Sequence, residues 1–134
     1  MHEPLLHNKS TIIYGGGGAI GSAVAVEFAR QGARLFLAGR TREPLQRVAD
    51  QLTALGAEAE MAAVDALDED AVEGHADHVL DVSGRIDVSI NLISRGDVQG
   101  TPLIEMTTED LMAPVVAGLR ANFLTARAAA RRMA

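Results

Sequence analysis

Cysteine and tryptophan are absent from this 134-residue chain, aromatic residues make up only 3% of it, and Tyr14 is the sole tyrosine. Without cysteine there is no disulfide framework, no thiolate metal site and no thiol nucleophile. The first nine residues, Met1 to Lys9, lack the apolar run of a signal peptide, and no apolar stretch is long enough to span a bilayer. A soluble, cytoplasmic protein with no membrane association is the expectation. Basic residues are also in deficit: a formal net charge of −6 argues against a general nucleic-acid binder, which needs a basic face. What remains is a hydrophobic content of 48% and a length that fits a single domain over residues 1–134.

The feature that is present in excess is glycine, concentrated in Gly15-Gly16-Gly17-Gly18-Ala19-Ile20-Gly21. This run follows an apolar strand signal, Thr11 to Tyr14, and opens an apolar-periodic helix. Glycine lets the chain turn with positive φ and removes the Cβ that would hold a pyrophosphate away from the backbone. The free N–H groups of the following helix then face the anion. Read as G-x-G-x-x-G, with Gly16, Gly18 and Gly21, the run is a dinucleotide-binding pattern.

Downstream, Ile20, Val24 and Phe28 share one helical face up to Gln31-Gly32. Arg34 to Ala38 reads as a buried parallel strand. Leu45, Val48, Leu52 and Leu55 form a second helical stripe, with Pro44 in its first turn and Gly56 at its end. A third strand is expected over Ala59 to Val64. A third helix, Asp68 to Ser83, carries acids in its first turn and an apolar side of Val72, Ala76, Val79 and Leu80. A fourth strand spans Ile86 to Ile93, and Ser94 to Thr101 is a loop of the kind that carries function. Thr107 and Asp110 suggest a capping box opening a last helix, with Val115, Leu119, Phe123 and Ala126 on one face and Pro114 early in it. Strand and helix alternate four times, which implies right-handed crossovers and a parallel sheet. Glu73, His75, Asp77 and His78 look like metal ligands, but they read as the polar face of the third helix, and no metal is expected. His2 and His7 fall in an end expected to be disordered.

These residues resemble the short-chain dehydrogenase/reductase family. Its first-loop pattern T-G-x-x-x-G-x-G corresponds to Tyr14-Gly15-Gly16-Gly17-Gly18-Ala19-Ile20-Gly21, with Tyr14 in place of threonine and Ala19 in place of the middle glycine. Its N-N-A-G stretch corresponds to Asn91-Leu92-Ile93-Ser94, where only the first residue matches. The family's Asn-Leu-x-Gly-x-Phe-Leu segment aligns with Gly118 to Leu124, which puts Gly118, and not Asn122, at the position of the catalytic asparagine. The resemblance implies a Rossmann-type, doubly wound α/β fold with strand order 3-2-1-4, covering about the first half of a typical member. It implies an oxidoreductase that moves hydride between a nicotinamide cofactor and a carbonyl or alcohol, a small-molecule substrate. In the family the last helix contributes to dimer contacts, so a homodimer or tetramer is expected.

The residues that the resemblance assigns to the cofactor are Gly15, Gly17, Gly18, Ala19, Ile20, Gly21, Arg40, Thr41, Asp65, Asn91, Ile93 and Ser94. Asp65 either holds the adenine or caps the third helix; Asn91 either touches cofactor or satisfies backbone groups at the sheet's end. An acid at the end of strand two selects NAD, and an arginine there accommodates a 2′-phosphate. Gly39 stands at the acid's position and Arg40 follows it, which favours NADP, with NAD the alternative. No residue is assigned to catalysis. The family's Tyr-x-x-x-Lys pair does not occur in the chain, so it is either part of a larger enzyme or a nucleotide-binding module without catalysis.

Overall fold

In the computed structural model, which describes residues 3–94 and 96–134, β-branched and leucine-rich segments and the alanine-rich Ala59–Ala63 form strands that alternate with helices. The elements are β1 (Ser10–Tyr14), α1 (Ala19–Arg30), β2 (Arg34–Gly39), α2 (Arg42–Ala54), β3 (Ala59–Ala63), α3 (Glu69–Ser83), β4 (Val88–Asn91), a 3-10 turn (Leu103–Glu105) and α4 (Thr108–Met133). The four strands pair in parallel in the order β3-β2-β1-β4. β1 and β2 lie in the middle, and their residues are almost wholly buried, as continuous apolar runs in a parallel sheet require. The expected order 3-2-1-4 and Rossmann-type class are therefore the observed ones.

Two apolar layers cover the sheet. Ile13, Leu35 and Leu37 pack with Leu45, Val48 and Leu52 of α2 and Ala25 of α1 on one face. Ile12, Tyr14 and Phe36 pack with Val72, Ala76 and Val79 of α3 and Ala121 and Ala128 of α4 on the other. Burying each large aliphatic side chain is worth roughly 1.5–3 kcal/mol, so these layers supply the main cohesive force.

Local chemistry sets the ends of the elements. The Asp68 side chain accepts the N–H of Ala71 and caps α3, and Thr107 Oγ1 accepts the N–H of Asp110 and caps α4. β4 is shorter than the expected Ile86–Ile93, because ladder pairing with β1 reaches only from Val88 to Asn91. Pro114 sits inside α4, which continues through it.

Three expectations are corrected. On α1 the buried residues are Gly21 and Ala25, while Ile20 is 68% exposed. On α4 the apolar stripe of Val115, Leu119 and Phe123 faces outward, with Leu119 71% and Phe123 57% exposed, and the buried residues are Gly118, Ala121, Leu124, Thr125, Ala128 and Ala129. Apart from Leu124, the buried positions of both helices are small residues, which let a helix axis approach the strands closely without voids. His7 is not in a loose end, since the flanking Leu6 and Asn8 N–H groups donate to the carbonyls of Gln31 and Gly32 at 2.9 and 3.0 Å. His2, and Arg95 within the loop after β4, lie outside the described residues.

Candidate functional site

The carboxyl ends of the strands open into a cleft of about 720 Å³. Its floor is the loop from β1 to α1, and the sequence shows why that loop must be glycine. Gly15 has φ +79°, a left-handed value, and a Cβ there would lie 2.6 Å from the Leu92 carbonyl oxygen. A Cβ at Gly21 would stand 2.0 Å from the carbonyl oxygen of Gly15. Gly16 is tucked against Leu37 and does not line the cleft, so the indispensable positions are Gly15 and Gly21 rather than the Gly16 of the generic pattern.

Among the described residues, the N–H groups of Ala19, Ile20 and Gly21 have no backbone acceptor, and no side chain caps α1. They form an anion-facing helix terminus at the cleft floor. The N-terminus of α2 stands beside it, where Thr41 is the N-cap residue but makes no side-chain capping bond. Arg40 is exposed with its guanidinium unpaired among the described residues. Gly39 and Arg40 thus form a rim that carries the Arg40 cation and has glycine, not an acid, at the end of β2.

Eleven of the twelve assigned residues line the cleft: Gly15, Gly17, Gly18, Ala19, Ile20, Gly21, Arg40, Thr41, Asp65, Ile93 and Ser94. Asn91 does not. Its Oδ1 accepts the N–H of Ile93 at 3.3 Å and its Nδ2 donates to Asn122 Oδ1 at 2.8 Å. Asp65 does not cap α3, a role filled by Asp68; one of its oxygens accepts the N–H of Leu67 at 3.0 Å in the turn after β3. The sequence reading missed Pro44, Leu45, Val64, Ala66, Leu67, Leu92, Gly96 and Ala117 as lining residues. Pro44 and Leu45 had a signal, since the first turn of α2 follows Arg40 directly. Ala117 had none, because its place depends on how α4 lies across the sheet.

Among the described residues, no tyrosine, lysine or histidine lines the cleft. Tyr14, the sole tyrosine, is 1% exposed in the layer beneath α3 and α4, and burial pushes its hydroxyl up to about 12. Glu69, Glu73, Asp77 and His78 of α3 are engaged elsewhere. Glu73 binds Arg131 and Arg132, and the Arg132 hydrogen bond holds its carboxyl below the usual range. Asp77 binds Arg132, and His78 lies 2.6 Å from Glu60. His75 is not on the polar face at all: it is 6% exposed, edge-on to Tyr14, with Nδ1 unpartnered, and burial pushes it down to about 4.

Comparison with known proteins agrees with this geometry. The short chain dehydrogenase family model matches residues 9–134. The 1-deoxy-11-beta-hydroxypentalenate dehydrogenase of Streptomyces exfoliatus is 33% identical over 128 residues, 96% of this chain and 46% of that protein. The crystal structure of NAD+-bound xylitol dehydrogenase superimposes with a TM-score of 0.87 at 26% identity, over 96% of this chain and 49% of that one. A metagenomic short-chain oxidoreductase in complex with NADP gives 0.82 at 34% identity, over 94% and 57%. The chain spans about half the length of the relatives it matches.

Proposed function

Because the chain belongs to the short-chain dehydrogenase family, we propose that it forms the cofactor-binding part of an oxidoreductase that transfers hydride between NADP(H) and a carbonyl or alcohol of a small molecule. The observation that carries the cofactor choice is the rim of Gly39, Arg40 and Thr41 beside the glycine loop. Glycine at position 39 brings no negative charge to repel a 2′-phosphate, and the Arg40 guanidinium offers it paired donors.

In this reading the N–H groups at the start of α1 hold the pyrophosphate, Asp65 receives the adenine, and Ile93 and Ser94 stand toward the nicotinamide. The cradle fits: a Cβ at Gly15 or Gly21 collides with backbone atoms, and the α1 terminus has free donors. When bound, the nicotinamide supplies or accepts the hydride. The residues described here bind and orient it, while proton transfer falls to groups other than the buried Tyr14. The outward apolar face of α4, with Val115, Leu119 and Phe123 about half exposed or more, supports assembly as a homo-oligomer.

Side-by-side titration of NADPH and NADH tests the cofactor. NADPH is expected to bind more tightly, and Arg40→Ala to narrow the gap by about tenfold, the scale of a hydrogen bond to a charged group. Tighter NADH binding in the parent protein overturns the NADP assignment.

A second reading, a nucleotide-binding protein without hydride transfer, is favoured by Gly118, which brings no amide to the position of the family's catalytic asparagine. Sequencing the gene beyond the codon for Ala134 separates the two. A following serine and Tyr-x-x-x-Lys support the oxidoreductase; a stop codon supports the binder.

A further inference from the structure

α4 touches both side walls of the cleft through two polar side chains that flank a single buried alanine. Ala121 is 0% exposed and marks the line along which α4 meets the layer below. Successive residues of an α-helix are set about 100° apart, so Arg120 and Asn122 leave that line on opposite flanks. On one flank Arg120 Nε donates to the carbonyl oxygen of Leu67 at 3.1 Å, in the turn whose residues Asp65 to Leu67 line the cleft. On the other, Asn122 Oδ1 accepts from Asn91 Nδ2 at 2.8 Å, and Asn91 Oδ1 in turn accepts the N–H of Ile93 at 3.3 Å, in the opposite wall.

The orientation of both amides follows from the far end of this chain of bonds. The Ile93 N–H can only donate, so Asn91 must present oxygen to it and NH₂ to Asn122, which is left to accept. Leu67 and Ile93 lie past the ends of their strands, β3 stopping at Ala63 and β4 at Asn91, and past the last backbone bonds to the neighbouring strands, those of the Val64 and Leu92 N–H groups to the carbonyls of Gly39 and Tyr14.

We propose that Arg120 and Asn122 are positioning residues of the dinucleotide site. Arg120 sets the Asp65–Leu67 wall and Asn122, through Asn91, sets the Ile93–Ser94 wall. The inference rests on the reading that the cleft binds a dinucleotide with its adenine at Asp65. Neither side chain lines the cleft. Each acts through the backbone it holds, and the two act on different halves of the ligand.

The test titrates NADPH and its adenine half, adenosine 2′,5′-bisphosphate, in parallel, with NADH and AMP as the second pair. Asn122→Ala is expected to weaken NADPH about fivefold and leave the bisphosphate unchanged; Arg120→Met is expected to weaken both by that factor. Asn122→Asp keeps an acceptor toward Asn91 and is expected to bind as the parent does, while Asn91→Asp combined with Asn122→Asp sets two carboxylates together and is expected to lose the effect again. Because Arg120 is a cation bonded to the cleft wall at Leu67, its titration is repeated at high salt. A loss that persists supports positioning, and one that vanishes shows attraction by charge and overturns it.

Equal losses on both ligands for Asn122→Ala, or no loss in either variant, overturn the inference while leaving the site reading intact. A parent protein that binds neither dinucleotide overturns both. Thermal unfolding of each variant close to that of the parent accompanies the expected result.

Discussion

A Cβ at position 21 would lie 2.0 Å from the Gly15 carbonyl oxygen, closer than any tolerated contact, and the obstructing atom is backbone. The loop cannot relieve it by rotating a side chain. Gly21→Ala is therefore expected to cost about 3 kcal/mol or more of stability, at the upper end for overpacking, with loss of nucleotide binding. A Gly21→Ala protein with unchanged melting temperature and affinity would contradict the close packing of α1 on the loop. His75 offers a second prediction at this scale. Burial drives its folded-state value down to about 4 from an ordinary 6.5, with His78 adding to the effect and Glu60 opposing it. A folded value below the unfolded one means that the contribution is intact above pH 6.5 and is lost as pH falls toward 4, by up to about 3 kcal/mol. Urea denaturation across that window is expected to show this slope in the parent and a flatter one in His75→Leu. Equal slopes would show that His75 is not the acid-sensitive group.

At the level of elements, α3 and α4 are joined by a zipper of ion pairs. Arg127 reaches Glu69, Arg131 reaches Glu73 at 2.8 Å, and Arg132 reaches Glu73 at 2.7 Å and Asp77 at 2.8 Å. Acids at 69, 73 and 77 recur at helical spacing, so they share one edge of α3. Arg132 is the anchor, with its side chain only 12% exposed, and it also donates to the carbonyl oxygens of Ala128 and Glu73. Removing it leaves Glu73, 22% exposed, with one partner fewer. Arg132→Met is expected to lower stability by about 1–3 kcal/mol in urea denaturation, with the deficit shrinking at high salt. A neutral result would place the adhesion of α4 entirely in Ala121, Ala128 and their apolar neighbours.

For the molecule as a whole, the outward face of α4 is the feature that the described chain leaves without a partner. Leu119 and Phe123 stand 71% and 57% exposed, and Leu111 and Val115 continue the same side. The homo-oligomer proposed above covers it. Sedimentation velocity is expected to show concentration-dependent association in the parent and its reduction in Leu119→Asp, with the fold unchanged by circular dichroism. A parent that stays monomeric over a wide concentration range would count against that assembly.

The sequence by itself determined the order of elements and the parallel sheet, while the twelve assigned residues, eleven of which line the cleft, came from the family resemblance. Order and sheet rest on local signals: apolar runs, helical periodicity, and glycines where a backbone must turn or approach. Gly39-Arg40 was legible for the same reason, as it sits at the end of a strand whose place in the sheet follows from topology. Only the tertiary structure decided which side of α1 and α4 is buried. Periodicity records that residues share a face but not which face the sheet accepts, and close approach selected Gly21, Ala25, Ala121 and Ala128 over Ile20 and Phe123. It also turned His75 into the core, gave the capping of α3 to Asp68 rather than Asp65, and joined Asn91 to Asn122 and Arg120 to Leu67. Those last pairs lie 31 and 53 residues apart, and a single hydrogen bond over such a separation leaves no pattern in the chain. It exists only once the packed layers have brought its two ends together.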